Sequence, residues 1–204
     1  MWGLVESGSI TKLINKPKGL VIGDVRHSRK IFELWSKSEL EAIGIYEVEF
    51  DNSNKKDEEW YINTDITYAF GSGKVTGSYG DATAKKHADT LWTSQDKTDN
   101  KIPSGKDVGD VAVEGLKTQL IRDVKGQAES ILNQTDWYVT RKAEEDTAIP
   151  SEITNHRKAV RTKQASMCTA ITNASDTPAL ETLYNYTEQE DGSVTRPLGE
   201  LPTL

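Results

Sequence analysis

Over residues 1–80 the apolar positions come in short runs broken by turn residues, the pattern of strands, whereas from residue 111 onward they recur three or four apart, the pattern of helices. Gly3-Leu4-Val5-Glu6 and Ser9-Ile10-Thr11-Lys12-Leu13 flank Ser7-Gly8 and predict a hairpin. Leu20-Val21-Ile22 is a third strand candidate behind the Pro17-Lys18-Gly19 turn. One short helix is marked by a capping box of Ser36 and Glu39, with Trp35 and Leu40 at the staple positions. Gly44 should close it, and Ile45-Tyr46-Glu47-Val48-Glu49-Phe50 alternates as a half-buried strand does. Residues 51–59 read as a solvated loop. Residues 60–70 and 74–79 then form a hairpin across Gly71-Ser72-Gly73, with Trp60, Ile62, Thr64, Ile66, Tyr68 and Phe70 facing the core. Residues 83–92 fit a short helix ending at Leu91-Trp92.

Residues 93–110 are polar, hold Pro103 and two glycines, and lack periodicity, so they read as a linker and domain boundary. Beyond them Val113, Leu116, Leu120, Val124, Ala128 and Ile131 form one apolar stripe. Gly115 and Gly126 interrupt it at a cost of ~1 kcal/mol each relative to Ala, which implies either close backbone packing or a marginal helix. A second helix opens at Ser151, after Pro150, and runs to about Asn173 with Ile153, Val160, Met167 and Ile171 on one face. The two helices, joined through an aromatic elbow at Asp136-Trp137, should pack as a helical hairpin. A third helix begins at Pro178 with Thr177 as its N-cap and buries Leu180 and Leu183. The expected fold is therefore α+β. A small β-rich N-terminal domain with one short helix covers 1–92, a polar linker 93–110, a helical C-terminal domain 111–187, and an acidic extended tail 188–204.

Composition narrows the function. With 35% hydrophobic and 28% charged residues, the chain has little capacity for a deep pocket and should work through surfaces. The net charge is −7, with the acidic excess in 51–110 and 175–204, so there is no basic stripe of the kind that nucleic acid requires. Cys168 is the single cysteine, which excludes an internal disulfide; next to Met167 on an apolar face it reads as an inert thiol. No run approaches the ~20 apolar residues of a membrane span, and Met1-Trp2-Gly3-Leu4-Val5 lacks the basic start of a signal peptide. Folding in a reducing cytosol is the expectation. His27, His87 and His156 lie far apart, so neither a metal site nor a cofactor is expected. Gly71-Ser72-Gly73-Lys74 lacks the spacing of a phosphate loop, and Gly-x-Ser-x-Gly is absent. A small hydrolase would need paired carboxylates converging in a cleft, and no motif recommends one. The chain reads as a non-enzyme.

The candidate contact residues are Asp136, Trp137, Arg157 and Arg161. As a docking surface, Trp137 is an aromatic anchor with arginines nearby, the residue types enriched at binding hot spots. As packing, Trp137 fills the gap between helices while Asp136 pairs with an arginine or caps a helix; the burial habit of Trp favours this second reading. Arg157 and Arg161 stand four apart on one helix face, where they could grip a carboxylate together or form a solvated basic face.

Residues 131–161 also carry a pattern. Leu132 leads into Thr135-Asp136-Trp137, then Ile149-Pro150, then His156-Arg157 followed by Arg161. This series resembles the C-terminal signature of bacteriophage tail fibre assembly proteins and related tail proteins. His156 stands where an aromatic is often seen in that family, and the polar middle of this chain is longer. The segment Ile31-Phe32-Glu33-Leu34-Trp35, with the capped helix and strand after it, is similar to the N-terminal region of many phage tail proteins. The resemblance implies a protein that binds a tail fibre or another tail subunit and helps it assemble. It would act in the host cytoplasm, with a structural place in the virion tail, as fibre adaptor or decoration subunit, as the alternative. It implies contacts with protein, with neither nucleic acid nor membrane, and leaves a homo-oligomer open.

Overall fold

The first two predicted strands pair as expected. β1 (Trp2–Glu6) and β2 (Ser9–Ile14) are joined by Ser7-Gly8, whose φ values of 51° and 77° are the two positive angles of a type I′ turn. The computed structural model describes residues 1–204 and falls into two units, Met1–Thr83 and Ala84–Leu204.

In the first unit, β3 (Leu20–Ile22) and β4 (Val25–His27) form a second antiparallel hairpin. A one-turn helix, α1 (Ile31–Leu34), precedes α2 (Lys37–Ala42), so the unit has two short helices where one was expected. The capping box is present: the Ser36 hydroxyl accepts from the Glu39 amide at 3.3 Å, and the Glu39 carboxylate accepts from the Ser36 amide at 2.7 Å. Gly44 ends the helix at φ 82°, so close to β1 that a Cβ there would stand 2.6 Å from the carbonyl oxygen of Val5. The rest of the unit is β5 (Ile45–Asp51), β6 (Tyr61–Ile62), β7 (Thr67–Gly71) and β8 (Lys74–Ser78). Five strands make one sheet in the order β2-β1-β5-β8-β7, in which β5 and β8 are the parallel pair. Its outer strands, β2 and β7, approach each other, so the sheet curls into a half-barrel. Leu4, Ile14, Leu20, Ile31, Leu40 and Ile45 fill one end as a single buried cluster. Each contributes on the order of 1.5–3 kcal/mol by leaving water.

The predicted strand over 60–70 is broken. Trp60 is buried, but Ile62 is 60% exposed; the inward alternation resumes only with Ile66, Tyr68 and Phe70. Asn63 is the cause. Its side chain accepts from the Lys56 amide and donates to the Lys56 carbonyl, both at 2.9 Å, which holds the 51–59 loop in place of a strand ladder. Thr64 accepts from the Gly80 amide at 2.7 Å and extends the interruption.

In the second unit, after β9 (Thr83–Ala84) at the junction, β10 (Thr90–Leu91) pairs with β11 (Val111–Val113) and encloses α3 (Ser94–Thr98). The helix expected over 83–92 does not form, because this segment caps a later helix, the one that starts at Leu116. The carbonyls of Lys86 and His87 accept from the amides of Leu116 and Lys117, each at 3.0 Å. Asp89 accepts from the Gly115 amide at 2.7 Å and the Thr118 hydroxyl at 2.9 Å. These groups serve the N–H donors that a helix start leaves without partners. Residues 93–110 are likewise folded rather than a linker. Thr93 and Asp96 make a second capping box, and Trp92 exchanges main-chain hydrogen bonds with Gly109 and Asp110 at 2.9 Å, closing the loop. The division between units falls at Thr83/Ala84 instead.

The long helices are α4 (Leu116–Asn133) and α6 (Ser151–Asn173), and they pack against each other. Leu116, Leu120, Val124 and Ala128 are buried on α4, and Ile153, Val160, Met167 and Ile171 on α6, so the expected stripes meet over these positions; Val113 instead lies in β11 and is exposed, and Ile131 is half-buried. Between them in sequence lies α5 (Asp136–Glu145), where an elbow and loop were expected. α7 (Thr177–Tyr184) is capped by Asp176, one residue earlier than predicted; Thr177 is buried and donates to the Lys85 carbonyl at 2.5 Å. The acidic tail is folded too. β12 (Thr187–Glu188) pairs with β13 (Val194–Thr195), and Leu198 is buried with its carbonyl held by Lys163 Nζ at 2.8 Å. Arg196 fastens this segment. Its guanidinium lies 5.2 Å from the ring centres of Tyr184 and Tyr186 and meets Glu200 through both Nε and Nη2, at 2.8 and 2.9 Å. The chain is α+β, with its strands gathered chiefly in the N-terminal unit and its long helices in the C-terminal one.

Candidate interaction site

The junction of α4 and α5 is held by one buried cation. Arg157 lies inside the α4–α6 pair with its side chain 10% exposed, and its Nη1 donates to the carbonyl of Leu132 and to the hydroxyl of Thr135, both at 2.7 Å. Thr135 is itself buried, and its hydroxyl donates to the same Leu132 carbonyl at 3.0 Å. Arg157 Nη2 pairs with Asp136 at 2.8 Å. The guanidinium thus sits at the negative end of α4, while Asp136 sits at the positive start of α5, and each charge complements its helix. Two of the four predicted site residues are brought together here, and their partnership is structural.

Trp137 has the opposite fate. It is 51% exposed, which overturns the packing reading: no gap between helices receives it, because the corner is filled by Thr135 and Arg157. Its ring lies 3.8 Å from that of Tyr138 at 33°, and the Arg141 guanidinium sits 4.7 Å from the Trp137 ring and 5.4 Å from that of Tyr138. Arg141 Nε is shielded from solvent and has no hydrogen-bond partner. Val139 is 43% exposed, and α5 buries none of its residues. Arg161 is exposed and stands one turn beyond Arg157, outside this group.

Tyr138 and Arg141 escaped the sequence reading. On a helix Trp137 and Arg141 share a face, but an exposed helix has no apolar stripe, and periodicity alone reads it as a loop. The signal that could have found it is propensity. Arg141-Lys142-Ala143-Glu144-Glu145 are all good helix formers, Asp136 suits the helix start, and Asp146, at φ 56°, ends it in the left-handed conformation.

Elsewhere, Tyr186 donates to Glu200 at 2.7 Å, and that bond keeps its hydroxyl protonated above the usual tyrosine range. No group of three or more His, Cys, Asp or Glu side chains is placed to share a metal ion, and no helix is long and apolar enough to cross a membrane. No protein-family model, curated protein or solved structure matches the chain.

Proposed function

We propose that this chain is a non-enzymatic, bacteriophage tail-associated protein that binds a tail fibre or another tail subunit through surface contacts, in the manner of tail fibre assembly chaperones. The observation that carries the site is α5, a helix with no fully buried residue, which holds Trp137 half-exposed beneath Arg141. Trp, Tyr and Arg are the residue types enriched at binding hot spots, and Trp and Tyr offer large contact areas with few rotors. Stacked together they are already ordered, so docking would cost little side-chain entropy. Such a surface suits the covering of apolar patches and open strand edges on an unassembled fibre. The signature over residues 131–161 supports the phage setting.

The alternative, a structural tail component such as a fibre adaptor or decoration subunit, would be expected to rely on its neighbours for order in 93–110 and 188–204. Both stretches fold onto their own unit through local hydrogen bonds, which favours a protein that stands alone in the host cytoplasm. The test is mass spectrometry on gradient-purified phage particles and on lysate from cells producing the chain. Absence from particles, with a fibre protein co-purifying from lysate and lost on Trp137→Ala, supports the chaperone. A fixed stoichiometry in particles makes it a virion component.

A further inference from the structure

The first unit has a cleft of its own, of about 230 Å³, walled by Trp2, Phe32 and Trp35. Leu40 and Ile45, both buried, form its floor, and Lys37 and Glu47 stand at its mouth. The Trp2 and Phe32 rings meet at 4.7 Å and 53°, and the Trp35 ring is braced edge-on by His27 at 5.8 Å, so the walls are positioned before anything binds. Leu34, next to Trp35 in the chain, is 75% exposed. The lining is mixed, with three aromatic rings and two charged side chains, the residue classes that anchor and orient a protein segment.

Size and charge define the occupant. The cleft is smaller than the ~300–1,000 Å³ of small-molecule sites and suits one large side chain. An oligosaccharide would need several converging polar side chains, and Lys37 and Glu47 are the only charged side chains that line this cleft. The two charges at the mouth differ in their partners. Lys37 is shared between Glu41 and Glu49, each at 3.9 Å, and Glu49 also holds Lys74 at 2.9 Å, so the Glu47 carboxylate is left to face a cation from outside. We propose that this cleft binds an exposed segment of a partner protein in which an apolar anchor residue is flanked by basic residues. The anchor enters between Trp2 and Trp35, and a neighbouring arginine or lysine meets Glu47. The site is separate from α5 and does not depend on the phage reading.

The test uses the full chain with ¹⁵N-labelled tryptophan indoles, assigned from single Trp→Phe variants. The probes are the capped tripeptides acetyl-Arg-Phe-Arg-amide and acetyl-Glu-Phe-Glu-amide. The arginine peptide should shift the Trp2 and Trp35 indole signals saturably and leave those of Trp60, Trp92 and Trp137 in place. The glutamate peptide should bind roughly tenfold more weakly or worse. Glu47→Lys should abolish or invert that preference while the Trp60 signal, from the buried interior, stays where it was. The proposal is overturned if neither peptide moves Trp2 and Trp35, if both bind alike, or if Trp137 responds instead. A neutral oligosaccharide giving the same shifts would also overturn it, as would concentration-dependent shifts without peptide, which would make a second copy the occupant.

Discussion

The guanidinium of Arg157, deep in α6, donates at 2.7 Å to the main-chain carbonyl of Leu132 at the end of α4. It therefore acts as a C-cap contributed from another helix, and its ion pair with Asp136 is the lesser part of its work. Asp136 is about half-exposed, where an ion pair gains at most ~1 kcal/mol, while each buried hydrogen bond to a charged donor is worth about 1.5–3 kcal/mol. Arg157→Met should thus cost roughly 2–4 kcal/mol, and Asp136→Ala about 1 kcal/mol or less. Urea unfolding followed by helical circular dichroism separates the two. Equal losses would show that the pair, and not the capped carbonyl, holds the junction.

Trp137→Ala is expected to leave stability nearly unchanged, within about 1 kcal/mol, since a half-exposed ring on a helix with no buried residue leaves no cavity behind. A core tryptophan would cost roughly 3–5 kcal/mol. Melting temperature against the wild type is the readout, and a large fall would return Trp137 to the packing role. Combined with lost fibre binding, an unchanged melting temperature makes it a contact residue.

What the sequence made legible was whatever buries a repeating face. The stripes on α4 and α6 and the β1–β2 hairpin each repeat at a fixed period and formed as read, except that Val113, read as the first position of the α4 stripe, belongs to β11. The segments that were misread are those whose order comes from single polar side chains acting over long separations. Asp89 caps α4 from 26 residues upstream, and Arg157 reaches back 25 residues to Leu132. Neither contact leaves a local pattern. The candidate site shows the same divide: Asp136 and Arg157 were correctly expected to be able to pair, but the helix that exposes Trp137 lacks any apolar face to announce it.

Gly115 and Gly126, both noted as breaks in the α4 stripe, have opposite causes. A Cβ on Gly115 would fall 2.4 Å from the backbone of Ala88, whereas nothing lies within 4 Å of one on Gly126. Gly126→Ala should therefore stabilise the chain by roughly 0.5–1 kcal/mol, by helix propensity alone. Gly115→Ala should destabilise it by about 1–3 kcal/mol, by forcing the capping loop away. Differential scanning calorimetry on the two variants reads both signs, and a loss at Gly126 would mean that its face of α4 is covered.

Acid should loosen α2 through its capping box. The Ser36 hydroxyl, then the Ser36 amide, hydrogen-bond the Glu39 carboxylate and hold its pKa below the usual value. A carboxylate whose folded pKa is depressed binds protons more readily in the unfolded chain. Its contribution is therefore complete above the ordinary glutamate range, about 4.3, and is lost as pH falls through the folded value. Asp96 on Thr93 follows the same rule at α3. Urea midpoints measured from neutral pH down through the carboxylate range should fall less steeply for Glu39→Gln than for the wild type, because the amide has no charge to lose. At neutral pH the variant should be the less stable of the two. Parallel curves across the acid range would show that the Glu39 charge is not linked to folding, and that the box works through its neutral hydrogen bonds alone.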